Sequence, residues 1–243
     1  MKIINTVIAI PMLSIVCLTQ GTAFGQQVTY GLQVKSSDDA RMKSDLDQEK
    51  RAAEWAASLK LNNEIKEQRI ATVIATHLKA IRDWHNEHPA STVPAGINPT
   101  TGNKLSDLER QIIATSAMPK SIHDSLMNTL NMELSSSQVE VILDKYTVGK
   151  VAFTLAGYKA IVPDLTSEEE TKITVYLKQA REQAIDYKNM KEISAIFEIY
   201  KTKSEQLLNN NGRNWRQLYK TYTDAVKAKK AADQQKQKPA GNQ

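Results

Sequence analysis

The sequence predicts an all-α protein: a single domain of about eight helices packed as helical hairpins, with one irregular segment near residues 146–163. Three observations predict it. From Asp38 onward the chain is rich in Ala, Lys, Glu and Leu, the residues that lose least on entering a helix. Apolar residues recur three and four positions apart, the spacing of one helix face. Leu105–Glu109, Leu134–Gln138 and Leu165–Glu169 share the pattern Leu-Ser/Thr-x-x-Glu/Gln. In that pattern the hydroxyl takes a free backbone N–H and the acid or amide reaches back to the cap, which marks a helix start.

Before the first helix, Lys2 followed by the apolar run Ile3–Leu18 and the small residues of Ala23-Phe24-Gly25 has the layout of a secretory signal peptide. The run is about 16 residues, shorter than the roughly 20 of a spanning helix, so cleavage near Gly25 is expected in place of a stable membrane span. A lipoprotein is disfavoured because Val16 precedes Cys17 where a small residue is wanted. The only cysteine leaves with the leader, so the mature chain has no disulfide. Export without disulfides fits a periplasmic or secreted location in a bacterium.

Gln26–Ser37 is a polar lead-in. Helix one is expected over Asp39–Leu59, with Leu46, Ala53, Ala56 and Leu59 facing inward. Asn62 is the expected cap of the next helix, whose Ile65, Ile70, Val73, Ile74, Leu78 and Ile81 keep helical spacing. Pro89 ends that helix, just after Asp83-Trp84-His85-Asn86-Glu87-His88. Ala90–Lys104 is a loop rich in Pro, Gly, Asn and Thr, able to be ordered without being regular. Pro119 separates Asp107–Ala117 from Ser121–Met132. Asn189 with Glu192 separates Ser167–Tyr187 from Met190–Leu208, and these two form a hairpin. Ile173, Leu177, Ala180 and Ala184 face inward on one arm; Met190, Ile193, Phe197, Tyr200 and Leu207 do so on the other. A last helix runs through Trp215, Leu218 and Tyr222. In Tyr146–Pro163, alternation over Val151, Phe153 and Leu155 suggests a strand, but a lone strand lacks a partner, so loop plus a short helix is expected. The Lys/Gln/Ala-rich tail 227–243 reads as disordered.

The net charge is +5, and without Lys2 it is 31 basic against 27 acidic residues. No basic stripe with interleaved aromatics appears, so a nucleic acid is not an expected partner.

The chemistry-bearing residues cluster at helix ends. His85 and His88 share a helix face, but His77 lies about 12 Å further along the axis, too far for one ion. Histidines also suit a helix C-terminus. No metal and no cofactor is expected. Gly-x-Ser-x-Gly, phosphate-cradling and dinucleotide-binding patterns are absent, and Asp83, Glu87, Asp164 and Asp186 are acid–base candidates by position only. Sugar binding needs an aromatic face beside planar polar groups. Trp84-His85-Asn86 and Arg213-Asn214-Trp215 supply both, and Lys150 and Tyr158 add to them. Against this, both tryptophans serve equally well as core anchors, and Asn86 and Asn214 as caps.

The chain resembles an uncharacterised family of bacterial secreted domains of unknown function to which sugar binding is ascribed. Asp83–Asn86, Gly96–Gly102, Tyr146–Lys150, Tyr158, Ile161–Pro163, Ala180–Ala184 and Asn211–Trp215 carry the resemblance, across roughly Ala52–Tyr222. It implies export and glycan association, and no catalytic residues. The repeated capping boxes are also similar to those of small periplasmic helical chaperones. Capping alone explains them, and those chaperones lack the loop Ala90–Lys104. The expected function is that of an exported glycan-associated protein with an oligo- or polysaccharide partner, bound by Trp84, His85, Asn86, Lys150, Tyr158, Arg213, Asn214 and Trp215. A periplasmic chaperone or envelope interaction protein is the alternative, and a polysaccharide-acting enzyme the second.

Overall fold

A computed structural model describes residues 23–237, with side chains for 38–234. The apolar run of the expected signal peptide and the last residues of the tail lie outside the described residues. Those residues form helices and loops with one isolated bridge, between Ile97 and Lys104. The helices are α1 (Ala23–Ala57), α2 (Glu64–Glu87), α3 (Asp107–Ser116), α4 (Lys120–Glu133), α5 (Ser136–Thr147), α6 (Lys150–Ile161), α7 (Ser167–Ala184), α8 (Met190–Asn210) and α9 (Trp215–Gln237). Asp47–Gln243 is one compact unit; the chain up to Leu46 is another, and its described part is helical.

All three capping boxes form. Ser106 with Glu109, Ser135 with Gln138 and Thr166 with Glu169 each exchange both bonds. Asn189 caps α8 through the N–H groups of Lys191 and Glu192. The cap of α2 is Asn63 rather than Asn62, which takes a left-handed φ of 53° in the turn.

Two apolar clusters make the core of the larger unit. One joins the end of α1 to α2, α4 and α5 through Ala52, Ala56, Ile70, Ile74, Leu126 and Ile142. The other joins α6, α7 and α8 through Val151, Ile173, Leu177, Ile196, Phe197 and Leu208, with Trp215 and Leu218 of α9 packed against it. The expected α7–α8 hairpin is the most extensive helix pairing. Arg181 links α5 to α7, with its guanidinium 2.7 Å from Asp144 and 2.8 Å from Glu140.

Several expectations need correction. Leu46, Ala53, Ile65 and Met190 face solvent. Towards the end of α1 the inward residues are Ala52, Trp55 and Ala56, with Leu59 just beyond it; Ala56 and Leu59 face inward as expected, and Ala52 stands in place of Ala53. The irregular segment is a helix: α5 ends at Thr147, Val148 and Gly149 turn the chain with φ of 54° and 65°, and α6 follows. Its alternating Val151, Phe153 and Leu155 are positions on a helix with apolar residues nearly all round. Helix α1 covers the polar lead-in, and α9 runs to Gln237, through the first eleven residues of the expected tail.

The loop after α2 is ordered by its own polar groups. Asn98 Oδ1 accepts from the N–H groups of Thr100 and Thr101, and its amide donates to Glu109. Arg110 donates twice to the Val93 carbonyl, and Gln111 to that of His88. The loop is thereby fastened onto α3.

Candidate functional site

The sequence-predicted residues fall into three places. At the end of α2, Trp84 is half-buried. Its indole N–H donates to the Ala114 carbonyl at 3.0 Å, and one face is covered by the His88 ring at 3.7 Å and nearly parallel. His85 Nε2 donates to Glu192 Oε1 at 3.0 Å, while Lys188 donates to Asn86 Oδ1 at 2.7 Å. These side chains tie α2 to the start of α8. Glu192 is 2 % exposed, and its Oε2 is buried without a hydrogen-bond partner.

Arg213 sits elsewhere. Its Nε and Nη2 donate to the two oxygens of Glu169, each at 2.8 Å, and Nη1 to Asp164 at 2.9 Å. The guanidinium beside Glu169 holds that carboxyl down at about 2, against the smaller opposing effect of burial. Glu169 also closes the capping box of α7, so this cluster fastens the α8–α9 turn to the α7 N-terminus. Asn214 is a cap, accepting from Gln217 N–H at 3.0 Å. Hydrogen bonding accounts for both residues.

Lys150, Tyr158 and Trp215 come together. They line a groove of about 770 Å³ between α6, α8 and α9. Trp215, Tyr219 and Tyr222 are spaced i, i+4, i+7 on α9, so they share a helix face. Trp215 lies 5.2 Å from the ring of Tyr158 and 5.9 Å from that of Tyr219. Tyr158 is the fixed member: it is 2 % exposed, its hydroxyl donates to the Lys201 carbonyl, and burial pushes that hydroxyl well above the usual phenol range. Tyr219 and Phe153 are the open ones, 50 % and 80 % exposed. Lys150 reaches over the buried Phe197 ring at 5.6 Å. The polar rim is completed by Lys201, paired with Glu198 at 2.9 Å, and by Glu205, whose carboxyl burial pushes up.

The arrangement therefore brings three of the expected residues into one groove and leaves the Trp84 and Arg213 clusters outside it. Phe153, Tyr219 and Tyr222 were missed. The i, i+4, i+7 spacing on α9 was a signal for the last two, obscured by reading Trp215 together with its Asn and Arg neighbours.

Fold and groove define a helical protein with an aromatic, amphipathic cleft. The chain belongs to the family described as protein of unknown function DUF3826, whose model matches residues 46–228. No curated protein matches it.

Proposed function

We propose that this is an exported, glycan-associated protein that holds an oligo- or polysaccharide chain in the groove between α6, α8 and α9. The observation that carries this reading is the floor of tilted, partly exposed aromatic rings, Trp215 and Tyr219, centroids 5.9 Å apart. A sugar ring presents an apolar C–H face to such a surface while its hydroxyls need mixed donors and acceptors. Lys150, Lys201, Glu198 and Glu205 offer both kinds along the rim. The groove's volume is within the range of sites that enclose a small ligand. Export rests on Lys2, the apolar run and the small residues before Gln26. Among the described residues no helix is long and apolar enough to cross a membrane.

Titration of the protein with oligosaccharides of several backbones, followed by tryptophan fluorescence, tests the reading. A saturable change lost in Trp215→Ala supports it; a panel with no saturable response contradicts it. A second reading, an envelope interaction or chaperone surface, is favoured by the 80 % exposure of Phe153 at the groove and the 74 % exposure of Val148 in the turn before the same helix. It predicts that Phe153→Ala loses suppression of client aggregation while sugars have no effect.

A further inference from the structure

A separate polar cavity of about 360 Å³ opens beside the start of α4. His123, in the first turn of α4, lines it, and the α7–α8 turn brings Asp186 against that ring, with His123 Nδ1 2.9 Å from Asp186 Oδ2. The other oxygen of Asp186 lies 3.0 Å from Nε2 of His77 on α2. His77 Nδ1 is in turn 3.1 Å from the hydroxyl of Tyr146, at the end of α5. His77 and Tyr146 are buried. Four segments of the chain thus converge on one line of hydrogen-bonded groups that ends at a cavity.

The protons along this line can be assigned. Burial, with the Asp186 charge beside it, holds the Tyr146 hydroxyl well above the usual phenol range, so it keeps its proton and donates it. His77 Nδ1 must then accept, which places the His77 proton on Nε2, facing Asp186. Burial raises the Asp186 carboxyl, but its bonds to the two imidazoles outweigh this and its pKa lies below the usual value. The carboxylate is ionised and accepts from both rings. His123 accordingly carries its proton on Nδ1, and its Nε2, across the ring from Asp186, keeps a free lone pair. A carboxylate that fixes a histidine in this tautomer is the arrangement that makes a general base.

We propose that His123 is the general base of a hydrolytic site for small esters, with water as the nucleophile. Water is assigned because, of the hydroxyls lining the cavity, that of Ser116 is committed to the Ile113 carbonyl, Thr115 is buried and bonded by Gln111, and burial keeps Tyr187 protonated, while the chain's one cysteine is Cys17. An ester is assigned because a lone histidine base suits attack on a carbonyl carbon, whereas glycoside cleavage needs two facing carboxylates. Lys120 and Gln183 line the same cavity and supply N–H donors for a developing oxyanion. In the reaction, a water proton moves to His123 Nε2 as the water oxygen bonds to the carbonyl carbon and the C=O pair moves onto oxygen. On collapse that pair returns, the bond to the alkoxy oxygen breaks, and that oxygen takes the proton from Nε2. A carboxylic acid and an alcohol leave. The site is distinct from the aromatic groove and does not depend on what the groove holds.

The groups facing His123 are Asp186 from the α7–α8 turn with His77 of α2 behind it, Glu182 of α7, and Asp124 and Lys120 of its own helix. The hydrogen bond to Asp186 raises the imidazole pKa above 6.5, against burial, and Glu182 and Asp124 add to it. The test is hydrolysis of p-nitrophenyl acetate by the full chain between about pH 5 and 9, against free imidazole at equal concentration. The expected rate exceeds that of imidazole and rises with pH through one inflection above 6.5. His123→Gln should lose on the order of a hundredfold with an unchanged circular dichroism spectrum. Asp186→Asn should move the inflection downward. Wild-type protein no faster than imidazole, or His123→Gln as fast as wild type, overturns the proposal.

Discussion

Glu169 grips Arg213 with both carboxylate oxygens, each 2.8 Å from a guanidinium nitrogen, and is itself 3 % exposed. A carboxylate so placed cannot be left alone. Arg213→Ala removes its charge partner and leaves it only the Asn211 amide and the Thr166 N–H, a loss of about 2–3 kcal/mol for bonds to a charged group. Urea denaturation should show a loss of that order, against little change for Lys220→Ala, whose pair with Asp224 lies in solvent.

The same pair sets an acid limit on stability. The Glu169 carboxyl is held near 2 in the folded chain, below its usual 4.5. The unfolded state therefore binds the proton first. The contribution is fully present above about pH 4.5 and is lost as pH falls towards 2. Thermal unfolding followed across that window should show a falling melting temperature. The acid dependence should be shallower in Glu169→Gln, which starts less stable at neutral pH.

Val148 holds a left-handed φ of 54° between α5 and α6, is 74 % exposed, and is followed by Gly149 at 65°. For a β-branched side chain that conformation costs roughly 1–2 kcal/mol. Little packing is lost on removing it. Val148→Gly should raise stability by about 0.5–1 kcal/mol, since the added freedom of the unfolded glycine offsets part of the relief. Differential scanning calorimetry checks this, and a fall in melting temperature would contradict it.

Trp84 and Trp215 looked equivalent in the sequence, each beside Asn and a basic residue, and they serve different ends. Trp84 is pinned by the Ala114 carbonyl and capped by His88. Trp84→Phe should cost about 1–2 kcal/mol through the lost hydrogen bond and weaker stacking. It should leave groove binding unchanged.

Elements governed by local chemistry were legible. The hydroxyls of Ser106, Ser135 and Thr166 cap their helices because the partner lies three residues away in the same chain. The i, i+3, i+4 stripe Ile173, Leu177, Ala180, Ala184 placed the α7 face because period alone fixes it. Segments decided by tertiary packing were not legible. In α6 apolar residues surround the helix, so no period distinguishes it from a strand. On α1, Ala56 faces inward as its spacing implies, but Ala52 takes the place expected of Ala53 because Ala52, Ala53, Ala56 and Ala57 offer two nearly equal stripes. Convergence was the least legible: Lys150, Tyr158 and Trp215 meet because α9 packs on both α6 and α8. His77, Asp186 and His123 meet across 109 and 63 residues of sequence.

The aromatic groove is the centre of the functional account. Isothermal titration of one oligosaccharide against wild type, Trp215→Ala, Tyr219→Ala and Trp84→Phe tests it most directly. The account predicts saturable binding by wild type and Trp84→Phe, with affinity reduced about fivefold or more in each α9 variant, since aromatic contacts are worth on the order of 1 kcal/mol or more each. Binding that survives Trp215→Ala and Tyr219→Ala but is lost in Trp84→Phe would contradict it and return the site to the end of α2.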